Sequence, residues 1–195
     1  MQNLWERVYP RKGQYRHYKS LRMAFSPSPP SHAAHRTAAH HPDQAELIRN
    51  LYQFYAYESS DWEQEDVEVD GRFYIHEEHL QRYWQSPGWS ASLVLADGFI
   101  AGFVLVERSE LPGFDALELA DLFILKRYRR QGIGRAVANQ FLASPGDWLL
   151  RCYALDPIAV AFCKAVVADL QRPVQQIFPV DEPDLLTYQV TSVFH

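Results

Sequence analysis

Apolar side chains recur at Leu47, Ile48, Leu51, Phe54 and Tyr55, the spacing of one face of a helix. Asp43 and Glu46 precede them at capping-box spacing, which predicts a first helix from Asp43 to about Tyr57. Leu80, Tyr83 and Trp84 predict a second helix within Tyr74–Trp84. The pattern then turns β-like: Ser92–Ala96 and Phe99–Glu107 flank Asp97-Gly98, a pair that two-residue hairpin turns favour because they require positive φ. A loop over Arg108–Ala116 leads into an apolar run, Leu117–Leu125, which closes an antiparallel meander. Ala136, Val137, Phe141 and Leu142 restart a helical pattern, and Trp148–Tyr153 reads as the next strand. Strand, helix and strand in that order form a β-α-β unit with a right-handed crossover. Pro157–Val167 adds a helix, and Pro173–Pro179 and Leu186–Phe194 add two closing strands.

The 195 residues, 47% of them hydrophobic, suffice for one ordinary domain with some extension. The net charge of −5 is unevenly spread: Arg7, Arg11, Lys12, Arg16, Lys19, Arg22 and Arg36 face a single acid, Glu6, within residues 1–40. Ser26–His41 is rich in Pro, Ser, Ala and His and buries too little apolar surface to offset its ordering entropy. Residues 1–41 are therefore expected to form a flexible, disordered, basic and Pro/His-rich extension, with the folded domain over 42–195. Its role stays open among a docking tail, a targeting-like segment and translated sequence upstream of Met23. Trp5, Tyr9, Tyr15 and Tyr18 among the basic residues raise contact with nucleic acid or a membrane surface as the weaker reading. His32, His35, His40 and His41 lack acidic or cysteine partners, so no metal is expected. No apolar run reaches the roughly 18 residues of a membrane helix. Cys152 and Cys163 read as buried thiols of a reducing compartment, with the cytoplasm as the expected location.

The chemistry concentrates in Leu117–Leu142, where the apolar run breaks into Lys126–Arg130, then Gly132 and Gly134, then a helix. The first N–H groups of a helix lack intrahelical partners and lie at the positive end of its dipole, so a glycine-lined entry suits a phosphate or pyrophosphate. A P-loop needs Lys-Ser or Lys-Thr after its second glycine, where Arg135 and Ala136 stand. A dinucleotide fingerprint needs a small residue where Val137 stands, and Asp156 is its sole support near the ribose position. Arg129-Arg130-Gln131-Gly132-Ile133-Gly134 instead resembles the acyl-CoA pyrophosphate loop of the GNAT superfamily of N-acetyltransferases. The strand Asp121–Leu125, the Tyr128-Arg129-Arg130 lead-in and Asp156, Ala159 and Phe162 fall where that superfamily has its cofactor half, and the resemblance covers about Ala91 to Val167.

The resemblance implies an α/β protein of GNAT (acyl-CoA N-acyltransferase) fold, a mixed central sheet flanked by helices, with its two parallel strands splayed around the cofactor arm. It implies acetyl-CoA as cosubstrate and acetyl transfer to a primary amine by direct attack in a ternary complex. Leu122, Phe123, Ile124 and Leu125 would line the groove through their backbone, and Arg129, Arg130, Gln131, Gly132, Ile133, Gly134 and Arg135 would hold the pyrophosphate. Asp121 is the expected general base and Glu118 its alternative; being three apart on a strand, they share a face only if a bulge intervenes. Cys163 stands where many members carry the tyrosine that protonates the leaving thiolate, and Asp156 where many carry asparagine. A thiol is a possible proton donor there, although core filling is the commoner fate of a helical cysteine, and solvent is the alternative. The missing tyrosine keeps a noncatalytic acyl-CoA-binding module as the second reading. The acids of Glu58–Asp70 would border the acceptor pocket and favour a cationic acceptor such as a polyamine or a lysine side chain, although a solvated loop explains them equally well. The expected partners are acetyl-CoA and this amine, without metal, membrane or nucleic acid, and homodimerisation stays open.

Overall fold

The computed structural model describes residues 36–38, 44–180 and 182–192. Among them a mixed sheet of seven strands runs in the order β1-β2-β3-β4-β5-β7-β6. The strands are β1 (Arg36–Ala38), β2 (Ser90–Ala96), β3 (Phe99–Arg108), β4 (Leu117–Ile124), β5 (Trp148–Tyr153), β6 (Val174–Ile177) and β7 (Leu185–Val190). The helices are α1 (Gln44–Glu63), α2 (Glu77–Gln85), α3 (Ile133–Leu142) and α4 (Pro157–Asp169). Of the expected extension, only Arg36–Ala38 is described, pairing antiparallel with Leu93–Leu95 of β2. The remainder of 1–41, with His32, His35, His40 and His41, and the Asp43 cap lie outside the described residues.

The helices cover both faces of the sheet because β2, β3 and β4 alternate apolar residues to both sides. Ile48 and Leu51 of α1 and Leu80 and Tyr83 of α2 pack with Ala91, Leu93, Phe103, Leu105 and Phe123. On the opposite face Ile133, Val137, Ala138 and Leu142 of α3 and Cys163 and Val166 of α4 pack with Val104, Val106, Leu119, Leu150 and Val190. α1 runs past Tyr57 to Glu63, and α2 starts at Glu77, where the His76 side chain accepts from the His79 N–H at 3.2 Å. The β2–β3 hairpin turns through Asp97 and Gly98, both left-handed at φ 50° and 79°. Asp156 caps α4, accepting from the N–H groups of Ile158 and Ala159 at 2.8 and 3.1 Å. At the far end of α3, Arg172 donates to the carbonyls of Leu142, Ser144 and Gly146 at 2.5 to 2.7 Å, satisfying acceptors that a helix end leaves unpaired.

Two irregularities of β4 position the site. Asp121 pairs with Leu105 but Leu119 with Val106, so Ala120 is an extra residue and β4 bulges there. The parallel pairing with β5 stops at Leu119↔Leu150, while β5 continues to Tyr153 against β7. From Asp121 to Ile124 the β5-facing edge of β4 therefore has no strand partner among the described residues.

Candidate active site

β4 leads through Leu125 into a 3-10 turn, Lys126–Tyr128, and then to the glycine loop. Arg130 (φ 61°) and Gly132 (φ 79°) are both left-handed, and Gly132 is the N-cap of α3 without any side chain capping the helix. The first helical bond runs from Ala136 N–H to Gly132 O at 2.9 Å, so the N–H groups of Ile133, Gly134 and Arg135 lie in the unbonded first turn. An anion would find three amide donors and the positive end of the helix dipole here. Gly132 is needed for its backbone conformation, since a Cβ there would meet open space. At Gly134 a Cβ would lie in ordinary contact, 3.5 Å from Ile124 Cγ1 and Phe162 Cε2 and 3.9 Å from Leu122 Cδ2, so that face of the first turn looks onto apolar side chains.

Two arginines of the loop are engaged with the protein itself. Arg129 donates to Ile124 O at 2.5 Å and to Glu58 at 2.6 Å and lies 5.5 Å from the Phe123 ring, so it ties the loop to α1. Arg135 forms an ion pair with Asp169 of α4, holding that carboxyl below its ordinary value. Gln131 donates to Arg127 O at 3.0 Å, and Arg130 is exposed. The four groove residues are also divided by side chain. Leu122 and Ile124 pack toward α3 and α4, Phe123 and Leu125 toward α1 and α2, and what they share is the backbone of β4.

The bulge at Ala120 decides the question of the two acids. Without it Glu118 and Asp121 would point to opposite faces; with it both turn to the α1/α2 face. Their surroundings then separate them. Glu118 is 7% exposed and accepts from Arg151 Nε and Nη2 at 2.7 and 2.8 Å, while Arg151 also contacts Glu182. Burial pulls the Glu118 carboxyl upward and the guanidinium pulls it back. Asp121 has no such guanidinium among the described residues. Burial pushes its carboxyl up to about 6, the charges of Glu107 and Glu118 add to the rise, and a hydrogen bond from Tyr55 and the charge of His79 oppose it. A carboxylate poised near neutrality suits general base chemistry.

Cys163 is 2% exposed in the core, beside Cys152, and burial drives its thiol well above the ordinary value. Glu58 of the acidic stretch is occupied by Arg129 and lies 3.8 Å from Lys126. The acids near Asp121 come from elsewhere. Glu107 of β3 pairs in register with Glu118, accepts from the Tyr83 hydroxyl and lies 3.1 Å from His79 Nε2. Glu107, Tyr83, His79, Tyr55 and Arg151 were invisible as site residues in the sequence because they meet only through strand register and helix docking. Among the described residues no group of three or more His, Cys, Asp or Glu is arranged to hold a metal, and no helix is long and apolar enough to cross a membrane.

Comparison with known proteins bears on the fold and the family. In solved structures the fold is similar to an acetyltransferase from Thermus thermophilus, at 19% identity and TM-score 0.54 over 80% of this chain and 95% of that one. It is similar to yncA of Salmonella typhimurium, described as a proposed acetyltransferase with its cofactor acetyl-CoA, at 13% identity and TM-score 0.56 over 83% and 96%. It is also similar to a GNAT-family acetyltransferase from Listeria monocytogenes, at 10% identity and TM-score 0.55 over 80% and 93%. No curated protein matches the chain. The model of the acetyltransferase (GNAT) family matches residues 46–164, from the first turn of α1 to the middle of α4, and the chain belongs to that family.

Proposed function

We propose that this protein transfers the acetyl group of acetyl-CoA to a primary amine by direct attack in a ternary complex. The observation that carries this reading is the position of Asp121. It is a carboxyl raised to about 6, on the bulge that turns it toward the α1/α2 face, at the point where β4 parts from β5. The neighbourhood fits the cosubstrate: the uncapped first turn of α3 suits a pyrophosphate, and the space beside Gly134 and the unpaired edge of β4 suit the arm. Acetyl-CoA, when bound, supplies an acetyl group activated as a thioester.

The protein's own residues do the remainder. Asp121 takes the proton of the acceptor's ammonium group, and Tyr55 holds the carboxyl in place by its hydrogen bond. Amide donors on the free edge of β4 are available to the acetyl carbonyl oxygen. Glu118 stays paired with Arg151 and fixes the strand beside the base. Cys163, buried and with its thiol proton held tightly, is a poor donor, so solvent supplies the proton to the leaving side. The burial of Cys163 is also what favours the second reading, a noncatalytic acyl-CoA-binding module. Release of CoA thiol from acetyl-CoA in the presence of a panel of primary amines separates the two. Amine-dependent release supports the enzyme, and a thermal shift with acetyl-CoA but no release supports the binding module.

A further inference from the structure

Arg129 opens the motif expected to hold the pyrophosphate, but its guanidinium is engaged within the protein. Nε donates to Ile124 O at 2.5 Å and Nη2 to Glu58 at 2.6 Å. The first bond closes the chain on itself, from the end of β4 around the turn Lys126–Tyr128 and back. The second fastens that closed turn to α1, 71 residues away in sequence. The backbone of the turn is held as well, with Leu125 N–H donating to Ala101 O and Tyr128 N–H to Leu125 O, both at 2.8 Å. Arg129 Cζ lies 5.5 Å from the Phe123 ring, which the Tyr55 ring also meets at 5.9 Å. Tyr55 and Glu58 are three residues apart on one face of α1, so a single turn of that helix touches β4 through one and the glycine loop through the other. The chain beyond Arg129 needs such a hold. Arg130 has φ 61°, a left-handed conformation that a residue other than glycine keeps only where its surroundings enforce it, and Gly132 completes the entry into α3 at φ 79°. The Glu58 and Arg129 side chains are 26% and 34% exposed, so water screens the pair less than it would a fully exposed one.

Resting on the cradle assigned above to the acetyl-CoA pyrophosphate, we propose that Glu58 is a positioning residue of the cofactor loop. Acting through Arg129, it holds Arg130–Gly132 in the conformation that presents the first-turn amides of α3. Arg129 then serves the cosubstrate as a strut and not as a phosphate ligand. Glu58, the first of the acids expected to border the acceptor, belongs instead to the cofactor side. A guanidinium suits this task because its planar fork spans two acceptors on different elements, here a strand carbonyl and a helix carboxylate, in one fixed geometry. Charge alone gives the opposite expectation for Glu58. A carboxylate beside the loop repels a pyrophosphate, so removing it would tighten binding if the loop did not depend on it.

The test is calorimetric titration of the full-length protein with acetyl-CoA, without any amine. Glu58→Ala should raise Kd about tenfold while the free protein melts like wild type, since alanine keeps the helix and a partly exposed ion pair contributes little to stability. Arg129→Gln should raise Kd to the same degree, and the double variant no further, because both changes break one strut. Arg129→Lys, which keeps the charge but loses the fork, should bind as weakly as Arg129→Gln. A Glu58→Ala affinity equal to or above wild type overturns the proposal, since that is the result of an Arg129 released to meet the phosphates. An Arg129→Lys affinity equal to wild type overturns it too, as do losses that add in the double variant. Should Arg129→Gln fail to fold, the sign of the Glu58→Ala change decides alone. Failure of the wild type to bind acetyl-CoA removes the cradle and the strut together, and that result is distinct because it needs no substitution.

Discussion

At the scale of single residues, the site is a set of carboxyls separated by their partners. Asp121 has no guanidinium beside it among the described residues, and its folded pKa of about 6 stands above the ordinary value of 3.8. A carboxyl raised in this way favours the folded state fully below its ordinary pKa, and that contribution is lost as pH rises through about 6. Asp121→Asn, which keeps an acceptor for Tyr55, should therefore raise Tm by a few degrees at pH 8 and leave it near wild type at pH 4. Equal melting temperatures at both pH values would show that the carboxyl is not destabilised by the fold. Glu118, also raised by burial, does have a guanidinium beside it. Arg151→Met would leave it buried without its cation, at a cost of about 3–5 kcal/mol in urea unfolding, while adding Glu118→Leu should recover most of the loss. The sequence made Asp121 the expected base and Glu118 its alternative, but neither the bulge nor the Arg151 pairing is local information. Cys163 was legible as a departure from the family pattern, but its burial depends on how α4 lies on the sheet.

At the scale of elements, the sequence was most informative where one stretch of chain sets the geometry. The Asp97-Gly98 turn, the β4-to-α3 glycine entry and the boundaries of β5 were legible from turn chemistry and apolar runs. The far end of α1 and the start of α2 were not, since polar residues there continue or cap a helix through contacts set by docking. The same holds for the bulge at Ala120, which registers only when β3 is laid beside β4. Gly102 marks how closely those strands approach: a Cβ there would fall 1.9 Å from the Phe123 carbonyl oxygen. Gly102→Ala should destabilise the protein by about 1–3 kcal/mol in denaturant unfolding, or more if the β3–β4 register must shift. A neutral effect would contradict the close approach. In α3, Gly134→Asp places a side chain and a negative charge in the cradle beside Ile124 and Phe162. Wild type should gain about 2.7 kcal/mol from acetyl-CoA at a hundredfold excess over Kd, and the variant should gain nothing. An undiminished thermal shift would remove the pyrophosphate from this loop.

At the scale of the whole molecule, the described residues place the unpaired edge of β4 and the Asp121 carboxyl on the same strand. α3 and α4 support the cradle on one side, and α1 and α2 enclose Asp121 on the other. The alternation of strand and helix, with the glycine entry, was enough to indicate this architecture, because it follows from the order of elements along the chain. The charged cavity on that face follows from the register of the sheet, where β3, β4, β5 and the β6–β7 loop contribute Glu107, Glu118, Arg151 and Glu182. The measurement that bears most directly on the proposed reaction is the pH dependence of kcat/KM for amine-dependent CoA release by wild type, Asp121→Asn and Glu118→Gln. Wild-type activity should fall as pH drops through about 6, the range in which Asp121 takes up its proton. Asp121→Asn should be slower by about a hundred- to ten-thousandfold at pH 7 and recover part of that loss at high pH, where the free amine needs no base. Asp121→Asn activity matching wild type across the pH range, or the pH-dependent loss appearing in Glu118→Gln alone, would contradict the assignment of Asp121 as the base.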